Sequence, residues 1–356
     1  MSRTPHPARA LRAVALAAAA LTLAACTGAA EAPAPAADPA PGAGSAPATT
    51  SDAPDPVEVV VTTSILGDLV APIVGEDGTV RVLMAPGVDP HGYAASAADA
   101  AAMRDADLVV ANGLMLEEGL LAALDAAVAD GVRVLEVAPE LDPIPFAADA
   151  HDHGDEDDHA HDDEHAHDEA DEHAHGELDP HFWFDPLRAA TAGELVADAL
   201  AELRPEVDWA ARAAGLRAEL EALDAELAAV YATVPADRRK LVTNHDSLGY
   251  LADRYGFEIV ATVVPGSSTS AETDPAAFAA LADLLVAEGV DVVLAETTDS
   301  DALAMALAEE AVVRGAPAVT VVTLHTGSLG PAGSGAETYV GMLRTDAGLI
   351  VSALLD

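Results

Sequence analysis

Glu58-Val-Val-Val61, Ser64-Ile-Leu-Gly-Asp-Leu-Val-Ala-Pro-Ile-Val74 and Thr79-Val-Arg-Val-Leu-Met84 follow one another, and their order decides the fold. The first and third are β-branched runs that read as strands. The second carries helical spacing behind a serine that reads as its cap. A strand, a helix and a strand in so few residues call for parallel pairing through a crossover. The same alternation continues with a helix over Ala97–Arg104, a strand over Asp107–Ala111, a helix over Leu116–Ala129 and a strand over Val132–Val137.

Two helical stretches come next, Pro186–Leu203 and Glu206–Val234, broken at Pro205. The second is long and places Leu216, Leu220, Leu223, Leu227 and Val230 on one stripe. A second alternating series starts at Lys240, with strands near Lys240–Thr243, Glu258–Val263, Val290–Leu294 and Ala318–Val322. Helices fall near Ser247–Tyr255, Pro275–Ala287, Ala302–Val313 and Ala336–Leu354. The expected fold class is α/β: two lobes, each with a mainly parallel sheet flanked by helices, joined by one long helix. The expected division is an N-terminal lobe over 57–185, linking helices over 186–234 and a C-terminal lobe over 235–356.

At the amino end, Arg3, Arg9 and Arg12 precede an apolar stretch from Ala13 to Leu23 and then Leu23-Ala-Ala-Cys26. This pattern reads as a lipoprotein signal over 1–25, with lipidation at Cys26, the only cysteine. An Ala, Pro, Gly, Ser and Thr tether follows over 26–56. The expected location is extracytoplasmic, with the body held at the outer face of a membrane.

The 356 residues carry a formal net charge of −45, which excludes a nucleic-acid partner and favours a cationic ligand. Between Asp149 and Glu177 stand eight histidines, His151, His153, His159, His161, His165, His167, His173 and His175, among aspartates and glutamates. So polar a segment cannot bury a core and reads as a mobile loop. Its imidazoles make it an accessory metal-binding loop, either a collector or a sensor.

Outside the signal and this tract the histidines are His91, His181, His245 and His325. Each follows an expected strand, His181 at a remove because the tract intervenes. Ligands of open α/β sheets bind beyond the carboxyl ends of strands, so the four are expected to converge in a cleft between lobes. Neutral imidazoles suit zinc, a tetrahedral ion without ligand-field preference.

Six stretches carry a resemblance: Thr62-Thr-Ser-Ile-Leu66, Asp89-Pro-His-Gly-Tyr93, Ala106-Asp-Leu-Val-Val-Ala-Asn-Gly-Leu114 with Glu117, Asp179-Pro-His-Phe-Trp-Phe-Asp-Pro186, Thr243-Asn-His-Asp-Ser-Leu-Gly-Tyr250 and Leu329-Gly-Pro-Ala-Gly-Ser334. In this order the chain resembles the metal-binding receptors of ABC transporters for zinc and manganese. The resemblance implies His91, His181 and His245 as metal ligands. It implies zinc over manganese because His245 stands where manganese-type members usually carry glutamate. It also implies a membrane permease and a cytoplasmic ATPase as partners, and a monomer. The family commonly places a ligand aspartate where Leu324-His-Thr-Gly-Ser-Leu-Gly330 has Gly327, so His325, Glu296 or a water is expected to complete the shell. Asp185 and Asp246 are expected either to support ligand histidines or to cap the helices that follow. Competing readings are a manganese or iron receptor, an adhesin on the same scaffold, and a zinc-dependent hydrolase or lyase.

Overall fold

The computed structural model describes residues 56–146, 178–264 and 275–356. Cys26, the signal, nearly all of the tether and the eight tract histidines lie outside the described residues. The first lobe contains β1 (Val57–Val61), α1 (Ser64–Val74), β2 (Gly78–Val82), α2 (Ala97–Asp105), β3 (Leu108–Ala111), α3 (Leu121–Ala129) and β4 (Arg133–Glu136). Its four strands are all parallel, in the order β2-β1-β3-β4. After α4 (Pro186–Leu203) and α5 (Trp209–Tyr231) the second lobe contains β5 (Lys240–Thr243), α6 (Gly249–Tyr255), β6 (Glu258–Thr262), α7 (Pro275–Glu288), β7 (Val292–Glu296), α8 (Ala302–Arg314), β8 (Thr320–Leu324) and α9 (Tyr339–Leu355). Its parallel sheet runs β6-β5-β7-β8, the same order repeated. The two-lobed α/β architecture expected from the sequence is the one observed.

Central strands β1, β3 and β7 are almost wholly apolar because both faces are covered, and β5 is buried except at its first residue, Lys240. The core that covers them is shared. One continuous set of buried side chains runs from Val59 and Ile65 through Leu200, Leu220 and Leu227 to Leu241, Leu294 and Ile350. The long helix α5 packs on α1 of the first lobe, on α4 and on α9 of the second. Its stripe of Leu216, Leu220, Leu223 and Leu227 is buried as expected, Val230 packs half-buried against the same core, and Tyr231 extends it. Separating the lobes would open this shared core, so the fold resists wide hinge motion.

One guanidinium adds a polar tie. Arg254 on α6 pairs with Asp224 on α5 and lies 3.3 Å from Asp185, which caps α4. Among the described residues no helix is long and apolar enough to cross a membrane.

Local chemistry shifts several boundaries. Thr63, not Ser64, caps α1, accepting from the Leu66 N–H. The helix expected from Leu116 begins only at Leu121, because Leu114 and Met115 adopt positive φ and Glu117 turns inward. The last helix starts at Tyr339 behind the cap Thr338.

Candidate metal centre

His91 lies in the loop after β2, His181 just before the turn leading to α4, and His245 in the loop after β5. The first two belong to Asp-Pro-His segments that fold alike. Asp89 accepts the His91 backbone N–H at 3.0 Å, and Asp179 accepts that of His181 at 2.8 Å. Proline between them has no N–H to place and a preset φ, so the aspartate closes a tight turn that aims the histidine.

The Nε2 atom of His181 is 3.3 Å from that of His91 and 3.3 Å from that of His245. One ring nitrogen from each of the three lies within 4.8 Å of the others. A tetrahedral ion with nitrogen ligands at about 2.0–2.1 Å needs them about 3.3–3.4 Å apart, so the two sides of the triangle that meet at His181 match zinc geometry. His181 and His245 are each 1% exposed while His91 is 9% exposed, which puts His91 at the rim.

The other ring nitrogens are held by carboxylates. His181 Nδ1 lies 2.7 Å from Asp179 Oδ1, and His245 Nδ1 bonds Glu296 Oε1. Such partners fix the tautomer and leave Nε2 free to face an ion. Burial and the neighbouring imidazoles His181 and His245 push His91 down to about 3. Burial and then His245 hold His181 well below the ordinary range as well. For His245 burial acts downward too, but the Glu296 charge and its hydrogen bond outweigh it and leave the imidazole above its usual value. Burial pushes Asp179 up to about 7.

Two expected candidates do not join the group. His325 is expected to complete the shell, but β8 ends at Leu324 and the chain bends over the next residues. Its N–H and Nδ1 both face Asp346 on α9, at 3.1 and 3.3 Å, and its Nε2 lies against Gly330. Glu296 has both oxygens engaged, one by His245 and one by the Thr326 hydroxyl at 2.6 Å, so it orients a histidine. Gly327 packs against Pro90, next to His91, and offers no side-chain ligand atom. Asp185 takes the capping role, accepting from the Leu187 N–H at 2.9 Å.

Sequence reasoning missed Asp179, and the signal for it was the repeated Asp-Pro-His. It also missed Asn112, which donates to the Pro180 carbonyl at 3.0 Å and so holds the backbone entering His181. Buried Glu117 fixes Asn112 in turn, accepting from its N–H, the Gly113 N–H and the Thr62 hydroxyl. Gly249 has a reason to be glycine, because a Cβ there would come within 2.6 Å of Asp179 Oδ2. Gly249→Ala is therefore expected to cost about 1–3 kcal/mol of stability. Calorimetry of the metal-free protein checks this, and an unchanged unfolding midpoint would contradict it.

Two parallel sheets around one shared core, with three imidazoles meeting between them, define a binding protein for a metal ion. A family described as the periplasmic component A of the zinc-uptake complex matches residues 59–353, and the chain belongs to that family. It functions as a substrate-binding protein of an ABC importer for metal ions. It is 29% identical over 298 residues to the zinc-binding protein TroA of Treponema pallidum, covering 83% of this chain and 88% of that protein. It is 27% identical over 308 residues to the manganese-binding lipoprotein MntA of Halalkalibacterium halodurans, covering 86% of this chain and 91% of the relative. The solved structure of periplasmic TroA superposes with a TM-score of 0.68 at 29% identity, covering 84% of this chain and 99% of that one.

Proposed function

We propose that the chain captures zinc through His91, His181 and His245 and delivers it to a membrane permease driven by a cytoplasmic ATPase. The observation that carries the reading is the 3.3 Å spacing of the Nε2 atoms about His181, with the other nitrogen of His181 and of His245 held by a carboxylate. Zinc is favoured over manganese because the three donors are all imidazole nitrogens, whereas manganese prefers oxygen-rich shells. A water completes the tetrahedron beside Gly327. Cys26 carries a lipid that tethers the monomeric protein to the outer face of the membrane. The histidines between 151 and 175 gather ions for the centre or sense their excess. Because the lobes share a core, release proceeds by a small tilt on docking. The protein is a receptor with no catalytic step of its own.

The test is zinc stoichiometry and affinity, by chelator competition, on the mature protein with residues 149–177 deleted. One tightly bound ion is expected to survive the deletion, and manganese is expected to compete poorly for it. Loss of tight binding would move the primary site into the deleted tract. Displacement of zinc by equimolar manganese would overturn the choice of metal.

A further inference from the structure

A path of three hydrogen bonds and one ring contact connects His245 to His181 from behind. Trp183, two residues after His181, donates its indole N–H to the carbonyl of Thr326 at 2.8 Å. The hydroxyl of the same Thr326 donates to Glu296 Oε2 at 2.6 Å. Glu296 Oε1 in turn takes the Nδ1–H of His245. At the near end the Trp183 ring stands edge-on to His181 with centroids 5.2 Å apart. His181, Trp183, Thr326, Glu296 and His245 are all buried.

Thr326 is where the path passes between elements, and its neighbours anchor it. His325 is tied to Asp346 on α9, and Gly327 packs on Pro90 beside His91. The Ser328 hydroxyl lies 3.0 Å from that of Ser64 and accepts the Gly87 N–H at 2.8 Å. Residues 325–328 therefore touch the surroundings of all three site histidines. A buried carboxylate needs donors on both oxygens, and removing one leaves that oxygen at the full cost of desolvation.

On the reading that these three histidines hold the metal, we infer that Thr326 is the positioning residue that couples the two halves of the centre. Its carbonyl registers the His181 side through Trp183, and its hydroxyl holds Glu296, and with it His245, in ligating orientation. A tilt of the lobes that pulls Trp183 from Thr326 loosens His245 without any direct push on it. The hand-off to the permease then begins at this bond.

The experiment measures zinc affinity and off-rate by chelator competition on the full mature chain for Thr326→Val, Thr326→Ser and Trp183→Phe. Val keeps the shape and the carbonyl but removes the hydroxyl, and affinity is expected to fall about 10–100-fold, the usual effect of losing a partner behind a ligand. The loss should lie mostly in the off-rate. Ser restores the hydroxyl and is expected to stay within about threefold of wild type, the spread common for a single interaction. Trp183→Phe removes the indole donor and should also speed release. Thr326→Val combined with Glu296→Gln should be no weaker than Glu296→Gln alone, because both act through one bond.

Wild-type affinity and off-rate in folded Thr326→Val would overturn the coupling, as would a Ser variant as weak as Val or fully additive losses. Were Thr326→Val unable to fold, an unchanged off-rate in Trp183→Phe would overturn it. His181→Ala separates the levels. If it keeps tight zinc, the three-histidine reading fails; if it loses zinc while Thr326→Val does not, only the coupling fails.

Discussion

Zinc at a thousandfold excess over its Kd is expected to raise the thermal unfolding midpoint by about 8 °C, and His181→Ala is expected to remove nearly all of that shift. An ion that binds only the folded state adds RT ln(1 + [L]/Kd), about 4 kcal/mol at that excess. For a chain of this size each kcal/mol moves the midpoint by about 2 °C. His181 is the residue to remove because the triangle is built around it. Both 3.3 Å contacts are made by its Nε2, and its ring is fixed by Asp179 and Trp183. Without it the donors left are one rim imidazole and one buried imidazole, and no three-nitrogen face remains. A thousandfold weaker Kd would leave about 0.4 kcal/mol at the same zinc concentration, a shift of about 1 °C. Differential scanning calorimetry with and without zinc reads this directly. A full shift in His181→Ala would mean that the ion sits elsewhere.

The histidines of this site, and Glu296 beside them, stand out in the sequence, while the pairings that make the histidines ligands do not. Places after strands mark His91, His181, His245 and equally His325, and the resemblance singles out the first three; both depend only on local pattern and on the repeated alternation of strand and helix. Both sheets could be anticipated for the same reason. Glu296 is fifty-one residues from His245 in the chain, and β5 and β7 become neighbours only once the sheet forms. The turn of His325 toward Asp346 depends on how α9 packs under β8, contacts that no local spacing records. Side chains alternate predictably only inside a strand, and β8 stops one residue before His325. Ser64 reads equally well as a cap by residue type. The neighbouring Thr63 takes that role and leaves the Ser64 hydroxyl to reach Ser328 across the cleft. What escaped the sequence is mostly the pairing of buried polar groups, which long-range packing decides.

That pairing sets the pH response, where the second large effect is expected. Below about pH 6, zinc affinity should fall more steeply in the wild type than in Glu296→Gln, by about two decades per pH unit against about one. Metal can displace only protons that the free site holds, and each displaced proton contributes one decade per unit. His91, pushed to about 3 by burial and its imidazole neighbours, holds none in this range, and neither does His181. His245 does: burial opposes its charge, yet the Glu296 carboxylate overrides burial and raises the imidazole above its ordinary value. Asp179, raised by burial to about 7, holds the second proton and must release it to accept the Nδ1–H of a metal-bound His181. The sign follows from these directions. As pH falls, Asp179 and His245 each take up a proton in the free site and binding weakens; at higher pH, where neither holds one, affinity levels off. Replacing Glu296 by glutamine removes the charge that raises His245, so its proton leaves the balance near neutrality and one decade per unit remains. The variant should also bind about 10–100-fold more weakly at pH 7.5, since the amide orients the ring less firmly than a carboxylate. Chelator competition between pH 5 and 8 on both proteins gives the two slopes. Equal slopes would show that Glu296 does not control the His245 proton, and a wild-type slope near three would mean that the imidazoles titrate as exposed groups and that the centre is more open than its burial indicates.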